Sequence, residues 1–586
     1  MKTNSMKTQN ISYKKVALFL GVVVFNLIIS IIFLRLREPY YATVDDTRMR
    51  DIVSGAMTGT PDPHVIFLQY PLGVILSTLY KGLPTVPWYL ISIIGNVIIC
   101  VSIVLYKAIK KCGNIKEYTY VIFFYLLVYL LFFKRMIIFP QFTTTSGVLS
   151  STAIILYATT DWTKKVKDNL FSLLAIYYCI LFGFMYRTLV FYMMIPLFVI
   201  IIFIKNKPNI KNKRTWFVNL TILVVVSASL ISIRLVDKSN YQEEEYKTYR
   251  EFNILRSQIN DYYKMPDYYE NKEFFDEINL DYIQWQTIKN YSLALGDDIS
   301  IEKMKKVVDY QKEDFDRNLK GELKRAVFGV ISSYQKFSTF KWQPFFLVII
   351  AILFIILFAY KRRWTQFLHL GAATSMVIFG SLYFIFIMRF PQRIAETLWC
   401  PLVLFSLLYI LDIKVNTKRK YGSSYIVQSC IYLGVIGLAS FCIYRNEMAD
   451  REQYEYIVEA SNDYTYMIKY SRENKENFYY YYVYSFADAS DKLYVENEDE
   501  LLSFTSLGGW LTRSPLLQEK YKKYGFSSTN NALFEHENVY IAITAFQDIQ
   551  FLEEYLWNYY PDKEWVVDKT INDGRILLLR AENKGK

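Results

Sequence analysis

The sequence predicts an α-helical polytopic membrane protein with about eleven spanning helices and a C-terminal α/β domain. Three observations lead to this fold class: long uncharged apolar runs, lysine clusters at alternate connections, and two polar stretches. Hydrophobic residues make up 53% of the 586-residue chain and aromatic residues 18%. The runs 16–34, 89–105 and 345–358 contain no charged residue. Because a helix needs about 20 mostly apolar residues to cross a bilayer, many runs of this kind indicate many crossings.

The spans are assigned from the extent of each apolar run. No small-x-small cleavage site follows the first run before Arg35, so we interpret that run as a retained span and not as a signal peptide. The predicted spans are 16–35, 87–107, 118–134, 145–160, 169–185, 190–205, 215–235, 344–360, 366–388, 396–412 and 424–444.

Basic residues fall at every second connection and set the predicted orientation. The positive-inside rule then places the N-terminus in the cytoplasm and the stretches 236–343 and 445–586 outside. We therefore expect a multi-pass protein of the cell membrane. The clusters are Lys2, Lys7, Lys14 and Lys15; Lys107, Lys110, Lys111 and Lys116; Lys164, Lys165 and Lys167; Lys205, Lys207, Lys211, Lys213 and Arg214; Lys361, Arg362 and Arg363; and Lys414, Lys418, Arg419 and Lys420.

The segment 64–80 is apolar enough to span, but counting it as a span would move every later lysine cluster to the wrong side. It also contains Gln69, Pro71 and Gly73. We interpret it as a re-entrant or in-plane helix packed on the bundle, where polar backbone can be satisfied by protein.

Four regions follow from this pattern. They are an N-terminal membrane module, 1–235, whose first outer loop is 36–86; a large outer loop, 236–343; a second membrane module, 344–444; and an outer domain, 445–586. The large loop has helical spacing at 246–256 and 301–319. The outer domain has an amphipathic stretch at 450–472, strand patterns at 478–484 and 538–544, a helix at 547–559, and a hairpin about Asn572-Asp573-Gly574.

Charge and cysteine usage exclude several classes of protein. The net charge of +12 lies in short loops, and residues 445–586 carry 25 Asp and Glu against 16 Lys and Arg. No basic stripe follows a nucleic-acid backbone, so we expect no nucleic-acid partner. The six cysteines lie in or beside apolar runs and show no ligand spacing. Three well-separated histidines do not predict a zinc site.

The first outer loop contains the most informative residues, the adjacent carboxylates Asp45 and Asp46 just beyond the first span. Such a pair can bind a divalent cation or remove a proton from a hydroxyl nucleophile. The alternative is a helix cap at the start of 47–57, with Arg48 and Arg50 extended to lipid headgroups. The local pattern alone favours the cap.

The wider arrangement resembles the GT-C superfamily of membrane glycosyltransferases. Asp45-Asp46 stands where that family has its acidic residue, and Pro63-His64 to Tyr70-Pro71-Leu72-Gly73 is similar to the family's Pro-Pro-Leu segment. The family form has Lys or His before two prolines, whereas here one proline follows Gln69-Tyr70. The similarity in architecture extends over most of residues 16–444, and the similarity in sequence is specific only over about 36–107.

The resemblance implies a polyprenyl-phosphate-linked sugar donor, bound from the membrane lipid and used at the outer face by an inverting mechanism. It implies that Asp46, or Asp45, acts as the general base or helps to hold a divalent cation such as Mg²⁺ or Mn²⁺. Two unpaired carboxylates in one site should raise one pKa.

A phosphate-bearing donor needs cations near the outer interface, and arginine suits phosphate because it can donate two parallel hydrogen bonds. Positive-inside bias disfavours basic residues there, so those present are candidate ligands. The candidates are Arg187, Arg256, Arg389 and Arg393. Pairing with an acid such as Glu396 is the alternative. For Lys134 and Arg135 we favour extension to headgroups.

Further candidate donor contacts are His64, Gln69 and Tyr70, in the segment that carries the resemblance. A lone histidine near the interface is more often structural. Trp510, after Gly508-Gly509, could stack on a sugar, but a turn with a core tryptophan is the better interpretation.

The sequence therefore predicts a glycosyltransferase that moves a sugar from a lipid-phosphate donor to a cell-surface glycan, a teichoic-type polymer or a lipid. One alternative is a transporter or flippase for a lipid-linked sugar, which requires ionisable residues near the middle of the spans. Another is a non-catalytic envelope assembly protein, which would leave the aspartate pair solvated.

Overall fold

The computed structural model describes residues 2–207, 212–263, 265–337, 340–413, 422–486, 489–493 and 499–585. Within these ranges nine helices are long and apolar enough to cross a membrane. They match nine of the eleven predicted spans. The other two predicted spans are helical as well, in a buried helix at Phe142–Thr159 and in the first part of a 52-residue helix at Gly422–Glu473. The chain is thus a multi-pass α-helical membrane protein.

The N-terminal module contains ten helices. The second and third are too short to span, and the fifth and sixth together form one candidate span, Ile115–Ile138. The ten helices are α1 (Lys2–Leu36), α2 (Val44–Ser54), α3 (Tyr70–Gly82), α4 (Trp88–Ile109), α5 (Ile115–Val128), α6 (Lys134–Ile138), α7 (Phe142–Thr159), α8 (Leu170–Tyr186), α9 (Thr188–Asn206) and α10 (Lys213–Ser239). A π-helical turn at Tyr129–Phe133 joins α5 to α6, and a 3₁₀ turn at Val166–Asn169 precedes α8.

The segment after the first loop is the short helix that its sequence predicts. Pro71 lies in the first turn of α3, where its missing N–H is not needed, and the helix ends after 13 residues. Gly73 approaches the backbone of Pro63 so closely that a Cβ would lie 2.1 Å from its carbonyl oxygen. This close contact holds the start of α3 against the first loop.

Close packing in the bundle depends on small residues. A Cβ on Gly147 of α7 would lie 2.4 Å from Thr397, and one on Gly183 of α8 would lie 2.8 Å from Ser150. Interhelical contacts of this kind let backbones approach without a hydrophobic driving force between helices. They place α7 at the centre of the bundle, buried along almost its whole length.

The large loop forms a small helical subdomain of its own. Its core contains Phe252, Trp285, Ile288 and Val307. Its helices are α11 (Glu244–Ser257), α12 (Lys272–Glu277), α13 (Tyr282–Lys289), α14 (Ile301–Arg317), α15 (Leu319–Phe328) and α16 (Val330–Gln335), with a π turn at Gln258–Tyr262. The predicted helices at 246–256 and 301–319 correspond to α11 and α14.

The second membrane module contains α17 (Trp342–Tyr360), α18 (Trp364–Phe386), α19 (Gln392–Tyr409) and α20 (Gly422–Glu473), with a 3₁₀ turn at Ile410–Ile413 after α19. The predicted basic cluster Lys414, Lys418, Arg419 and Lys420 lies outside the described residues. Since α20 continues for 52 residues, it carries the chain from the membrane directly into the C-terminal domain.

The C-terminal domain is a mixed five-stranded sheet between helices. Its strands are β1 (Phe478–Tyr481), β2 (Phe504–Ser506), β3 (Val539–Thr544), β4 (Lys563–Ile571) and β5 (Ile576–Asn583), in the order β2-β1-β3-β5-β4. Its helices after α20 are α21 (Pro515–Tyr524), α22 (Thr529–Glu535) and α23 (Gln550–Tyr559), with a 3₁₀ turn at Val483–Phe486.

Both faces of the central strand are covered, as its aromatic sequence predicts. Tyr479 and Tyr481 pack towards Tyr464 of α20, whereas Phe478 and Tyr480 pack towards Tyr521 of α21. The antiparallel hairpin β4–β5 turns at Asn572, Asp573 and Gly574, all of which have positive φ. This confirms the predicted turn; β2, α21 and α22 were not predicted, although Ser514-Pro515 and Gly525 bound α21 as helix-end residues.

The first loop, the large loop and the C-terminal domain meet at one end of the bundle, which we call the first-loop end. Tyr40 forms a β-bridge with Lys492, and the Leu502 N–H donates to the carbonyl of Ala56. The Ala294 N–H, in the large loop, donates a hydrogen bond to the carbonyl of Leu507 in the C-terminal domain. The opposite end, where α1 carries Lys14 and Lys15, is called the N-terminal end.

Candidate active site

A cavity of 520 Å³ lies where these three parts meet the bundle. Five of the predicted site residues line it: Asp45, Arg187, Arg256, Arg389 and Arg393. They come from α2, the α8–α9 junction, α11, and the connection from α18 into α19. We call this the arginine cavity. It brings together residues that are up to 348 positions apart in the sequence.

Asp45 is the first-loop carboxylate that lines the arginine cavity, whose other acidic lining residue is Asp261. It lies in the first turn of α2, where a negative charge interacts favourably with the helix dipole. The residue at the N-cap is Thr43, so neither aspartate is the cap itself. The indole Nε1 of Trp510 donates a hydrogen bond to Asp45 Oδ1 at 3.0 Å. The C-terminal domain therefore orients this carboxylate directly.

Asp46 is the next residue on the helix and points away from the arginine cavity into protein. Its side chain is completely buried. Tyr89 Oη and the Phe142 N–H donate to Oδ1 at 2.9 and 3.0 Å, and Thr43 Oγ1 donates to Oδ2 at 3.1 Å. Burial raises the pKa of Asp46 to about 7, although these hydrogen bonds act to lower it; the charge of Asp45 contributes less to the rise.

The two carboxylates do not face a common space. The donors around Asp46 occupy the oxygens that a shared cation would need, and five arginines line the cavity that Asp45 faces. In the described part of the chain no group of three His, Cys, Asp or Glu side chains is placed to hold a metal ion. These residues do not fit a two-carboxylate metal site, and metal dependence stays a prediction.

Arg187 is held by aromatic rings. Its guanidinium lies 4.8 Å from the Phe67 ring centroid and 5.3 Å from that of Phe142. Burial lowers its pKa to about 10, and nearby Arg393 adds to that effect. Within the described ranges, neither Arg187 nor Arg393 has a carboxylate oxygen within 4 Å of its guanidinium group. Their positive charge is therefore available to an anion.

Arg256 and Arg389 share one acid. Asp261 Oδ2 lies 3.7 Å from Arg256 and 3.5 Å from Arg389, and Arg389 stacks 4.2 Å from the Tyr262 ring centroid. One carboxylate between two guanidinium groups leaves a net positive charge. The predicted alternative partner of Arg389 and Arg393, Glu396, instead binds Arg135 at 2.9 Å.

Several basic residues that we expected at lipid headgroups are buried instead. Arg50 contacts Asp51 and Asp491, both at 2.7 Å, with 1% of its side chain exposed. Arg48 is 3.4 Å from Asp51 and packs over the Tyr481 ring. The expectation of headgroup contact was wrong, because the C-terminal domain covers this face of α2.

The same correction applies to the end of the third span. Lys134 is buried and binds Glu447 of α20 at 2.5 Å, and Arg135 binds Glu396 of α19. The sequence interpretation of snorkelling was wrong for this pair. Each cation joins α6 to another helix.

His64, Gln69 and Tyr70 lie outside the arginine cavity. The ring of His64 stacks on Tyr246 at 4.6 Å, and its Nδ1 lies 2.9 Å from Asp62. Gln69 Nε2 donates to Thr188 Oγ1 at 3.0 Å, and the Tyr70 N–H donates to Asp237 Oδ1 at 3.0 Å. These contacts hold the start of α3 against the bundle and the large loop.

The residue that sequence reasoning undervalued is Trp510. It is only 7% exposed, as a core tryptophan would be, yet it lines the arginine cavity and contacts Phe67 at 5.0 Å. Gly508 permits this position, since a Cβ there would overlap the carbonyl of Tyr291. The two glycines before the tryptophan were the available signal.

Comparisons with known proteins complete these observations. No family model matches the chain, and no curated protein matches its sequence. Among solved structures, the chain is similar to ArnT from Cupriavidus metallidurans in the apo state, over 97% of this chain and 98% of that chain, with 9% sequence identity and a TM-score of 0.40.

Proposed function

We propose that the chain is a membrane glycosyltransferase of GT-C type that moves a sugar from a lipid-phosphate donor to a hydroxyl acceptor. The observation that supports this proposal is the arginine cavity itself. Asp45 faces a space lined by five arginines, and two of them, Arg187 and Arg393, have no acid partner among the described residues. The other carboxylate in the lining, Asp261, is already paired with Arg256 and Arg389. A base beside an anion site is what transfer from a phosphate requires.

In the proposed step Asp45 accepts the proton of the acceptor hydroxyl as its oxygen attacks the anomeric carbon. The bond from that carbon to the phosphate oxygen breaks, and polyprenyl phosphate leaves with one more negative charge than it had as a diester. Arg187 and Arg393 stabilise that charge as it develops. Attack opposite to the leaving group inverts the anomeric configuration.

Asp45 replaces Asp46 as the preferred base because only Asp45 lines the arginine cavity. Asp46 is enclosed by three hydrogen-bond donors and would have to move to reach a substrate. Trp510 acts as a positioning residue, since its indole N–H fixes the orientation of the Asp45 carboxylate.

The cavity also offers a route for a lipid donor. Leu189 of α9 lines it and is 60% exposed on the outer surface of the bundle. A polyprenyl chain can therefore lie along α9 in the membrane while its phosphate enters between the arginines. We place this end on the outer face of the membrane, in agreement with the lysine clusters at the other end. The acceptor is a cell-surface glycan, a teichoic-type polymer or a lipid.

The test is turnover of synthetic polyprenyl-phosphate hexoses and pentoses by the purified protein, with release of polyprenyl phosphate as the signal. Asp45→Asn should lower kcat by about a thousandfold, because the amide cannot accept the proton. Asp62→Asn, in the same loop but outside the cavity, is the matched control and should retain the wild-type rate.

Folding of each variant is checked by its thermal unfolding transition and its elution volume. The proposed role of Asp45 fails if folded Asp45→Asn turns over the donor at the wild-type rate. If the wild type releases no polyprenyl phosphate from any donor but moves a lipid-linked sugar across a vesicle membrane, the chain is a transporter instead.

A further inference from the structure

A second cationic cavity, of 720 Å³, lies at the N-terminal end of the bundle. It opens between α1, α4 and α8, with the ends of α7 and α19 behind it. Its charged lining consists of Lys15, Lys107, Lys110, Lys111 and a single acid, Asp168. We call it the lysine cavity.

The lysines of this cavity are only partly neutralised. Lys107 Nζ donates to Thr159 Oγ1 at 2.8 Å, and Lys111 Nζ lies 3.3 Å from Asp412. For Lys15 and Lys110 the described residues provide no ion pair. Burial, together with the neighbouring charges of Lys15 and Lys164, lowers the pKa of Lys110, so the lysines are close enough to repel one another. Such a group favours an anion among them.

Most of the remaining lining of the lysine cavity is apolar, with Thr159 and Ser172 as its polar residues. Val16 and Phe171 line it and are 53% and 57% exposed. The ring of Phe19 lies between Phe171, at 5.8 Å, and Tyr106, at 5.6 Å. The cavity therefore opens sideways onto the surface that lipid chains cover, and not only towards water.

We propose that the lysine cavity binds the headgroup of an anionic phospholipid, with the phosphate among Lys15, Lys107 and Lys110 and an acyl chain along Val16 and Phe171. Basic pockets between spanning helices at the cytoplasmic surface bind lipid headgroups by this combination of charge and apolar wall. A soluble phosphate would use the same lysines but would leave the apolar wall uncovered.

The positive-inside rule explains why lysines occur at this end, but it does not require that they converge on one cavity. Lys164 and Lys165 satisfy that rule equally well and are exposed, outside the cavity. Convergence of lysines from α1 and α4 on a space with a lipid-facing wall is the additional observation. The proposal does not depend on the proposed transferase activity, because the two cavities lie at opposite ends.

The test is native mass spectrometry of the purified, delipidated protein titrated with dioleoyl phosphatidylglycerol or dioleoyl phosphatidylcholine. We expect saturable retention of phosphatidylglycerol by the wild type. Lys107→Gln/Lys110→Gln should lower that affinity by about thirtyfold, since each lysine near a lipid phosphate contributes roughly a factor of five. Lys361→Gln/Arg362→Gln, in the connection from α17 to α18, is the matched control and should bind like the wild type.

Lys110→Gln alone changes an exposed side chain and gives a second variant should the double variant misfold. The proposal is overturned if phosphatidylcholine binds as tightly as phosphatidylglycerol, or if the lysine and control variants lose affinity equally. Competition with glycerol 1-phosphate separates the two sources of phosphate. Displacement of the lipid by glycerol phosphate at an equal concentration would identify a soluble ligand and overturn the lipid assignment.

Discussion

The two cationic cavities lie at opposite ends of the same helices. Phe142 and Thr143 at the start of α7 line the arginine cavity, and Thr159 at its end lines the lysine cavity. The 17 residues of α8 extend from the lysine cavity to Arg187, a rise of about 25 Å. That length is close to the hydrocarbon thickness of a bilayer, so each cavity lies near one membrane interface.

The cavities differ in the chemistry of their cations and in what encloses them. Arginines dominate the first cavity, which contains Asp45 and is closed by the large loop and the C-terminal domain. Lysines dominate the second, which is formed by spans and their ends. Planar guanidinium groups fix the geometry of a phosphate, whereas lysines act as point charges on flexible chains. The first arrangement therefore suits a reaction, and the second suits binding alone.

This difference predicts that geometry, and not only charge, matters in the arginine cavity. Arg393→Gln should lower kcat/KM for the donor by about a hundredfold, because one donor to the developing phosphate charge is lost. Arg393→Lys keeps the charge but loses the planar fork, and should recover about a tenth of the wild-type activity. Steady-state turnover of a polyprenyl-phosphate sugar measures both.

The converse substitution, lysine to arginine, can be made in the lysine cavity. Lys110→Arg should retain phosphatidylglycerol as the wild type does, since a diffuse headgroup site needs only the charge. Full activity of Arg393→Lys would remove the distinction between the two cavities.

The C-terminal domain closes only the arginine cavity, and a buried ion pair holds it there. Asp491 contacts Arg50 at 2.7 Å with none of its side chain exposed. Asp491→Asn removes one charge of a buried pair, which typically costs about 3 kcal/mol. In a chain of this length we expect the unfolding temperature to fall by about 2 °C. Differential scanning fluorimetry in detergent measures the change.

The matched control for this pair is Asp568→Asn, since Asp568 also contacts an arginine, Arg580 at 3.0 Å, but is partly exposed on the far hairpin. It should change the unfolding temperature by less than about 1 °C. Phosphatidylglycerol retention should be the same in both variants. A loss of lipid from Asp491→Asn alone would show that the cavities are coupled and not independent.

Much of the fold could be predicted from the sequence because each signal is local. Uncharged runs mark the spans, and Asn572-Asp573-Gly574 marks the hairpin because all three residues adopt positive φ. Arginines predicted to lie on the side that positive-inside bias disfavours identified four cavity residues, since that bias makes each one conspicuous.

The rest of the site depends on contacts between distant segments, which no local pattern records. Trp510 reaches Asp45 across 465 positions, and Arg50 binds Asp491 across 441. Without these contacts Arg48 and Arg50 appear to be exposed cations, and Asp45 and Asp46 appear equivalent. Only the helical rotation between adjacent residues of α2, together with the position of Tyr89, separates the two aspartates.

The different environments of Asp45 and Asp46 give a further prediction, with a smaller expected effect. In the unfolded chain Asp46 titrates near pH 4, whereas burial raises its folded pKa to about 7. Between these values the folded state binds more protons than the unfolded state, so the free energy of unfolding falls as pH rises from 4 to 7. Asp46→Asn removes this pH-dependent contribution to the free energy of unfolding. The asparagine amide can still accept a hydrogen bond from the Tyr89 hydroxyl and donate one to the Thr43 hydroxyl.

The unfolding temperature of the wild type should therefore decrease between pH 5.5 and pH 8 by about 1.5 °C more than that of Asp46→Asn. Asp45→Asn, whose carboxylate lies in the cavity, should keep the wild-type slope although it loses turnover. If Asp45→Asn flattens the pH dependence and Asp46→Asn does not, the roles of the two aspartates must be exchanged. In the arrangement proposed here, Asp45 serves the reaction and Asp46 serves the fold. Adjacent residues of a helix point in different directions, so Asp45 faces the arginine cavity while Asp46 faces the protein interior.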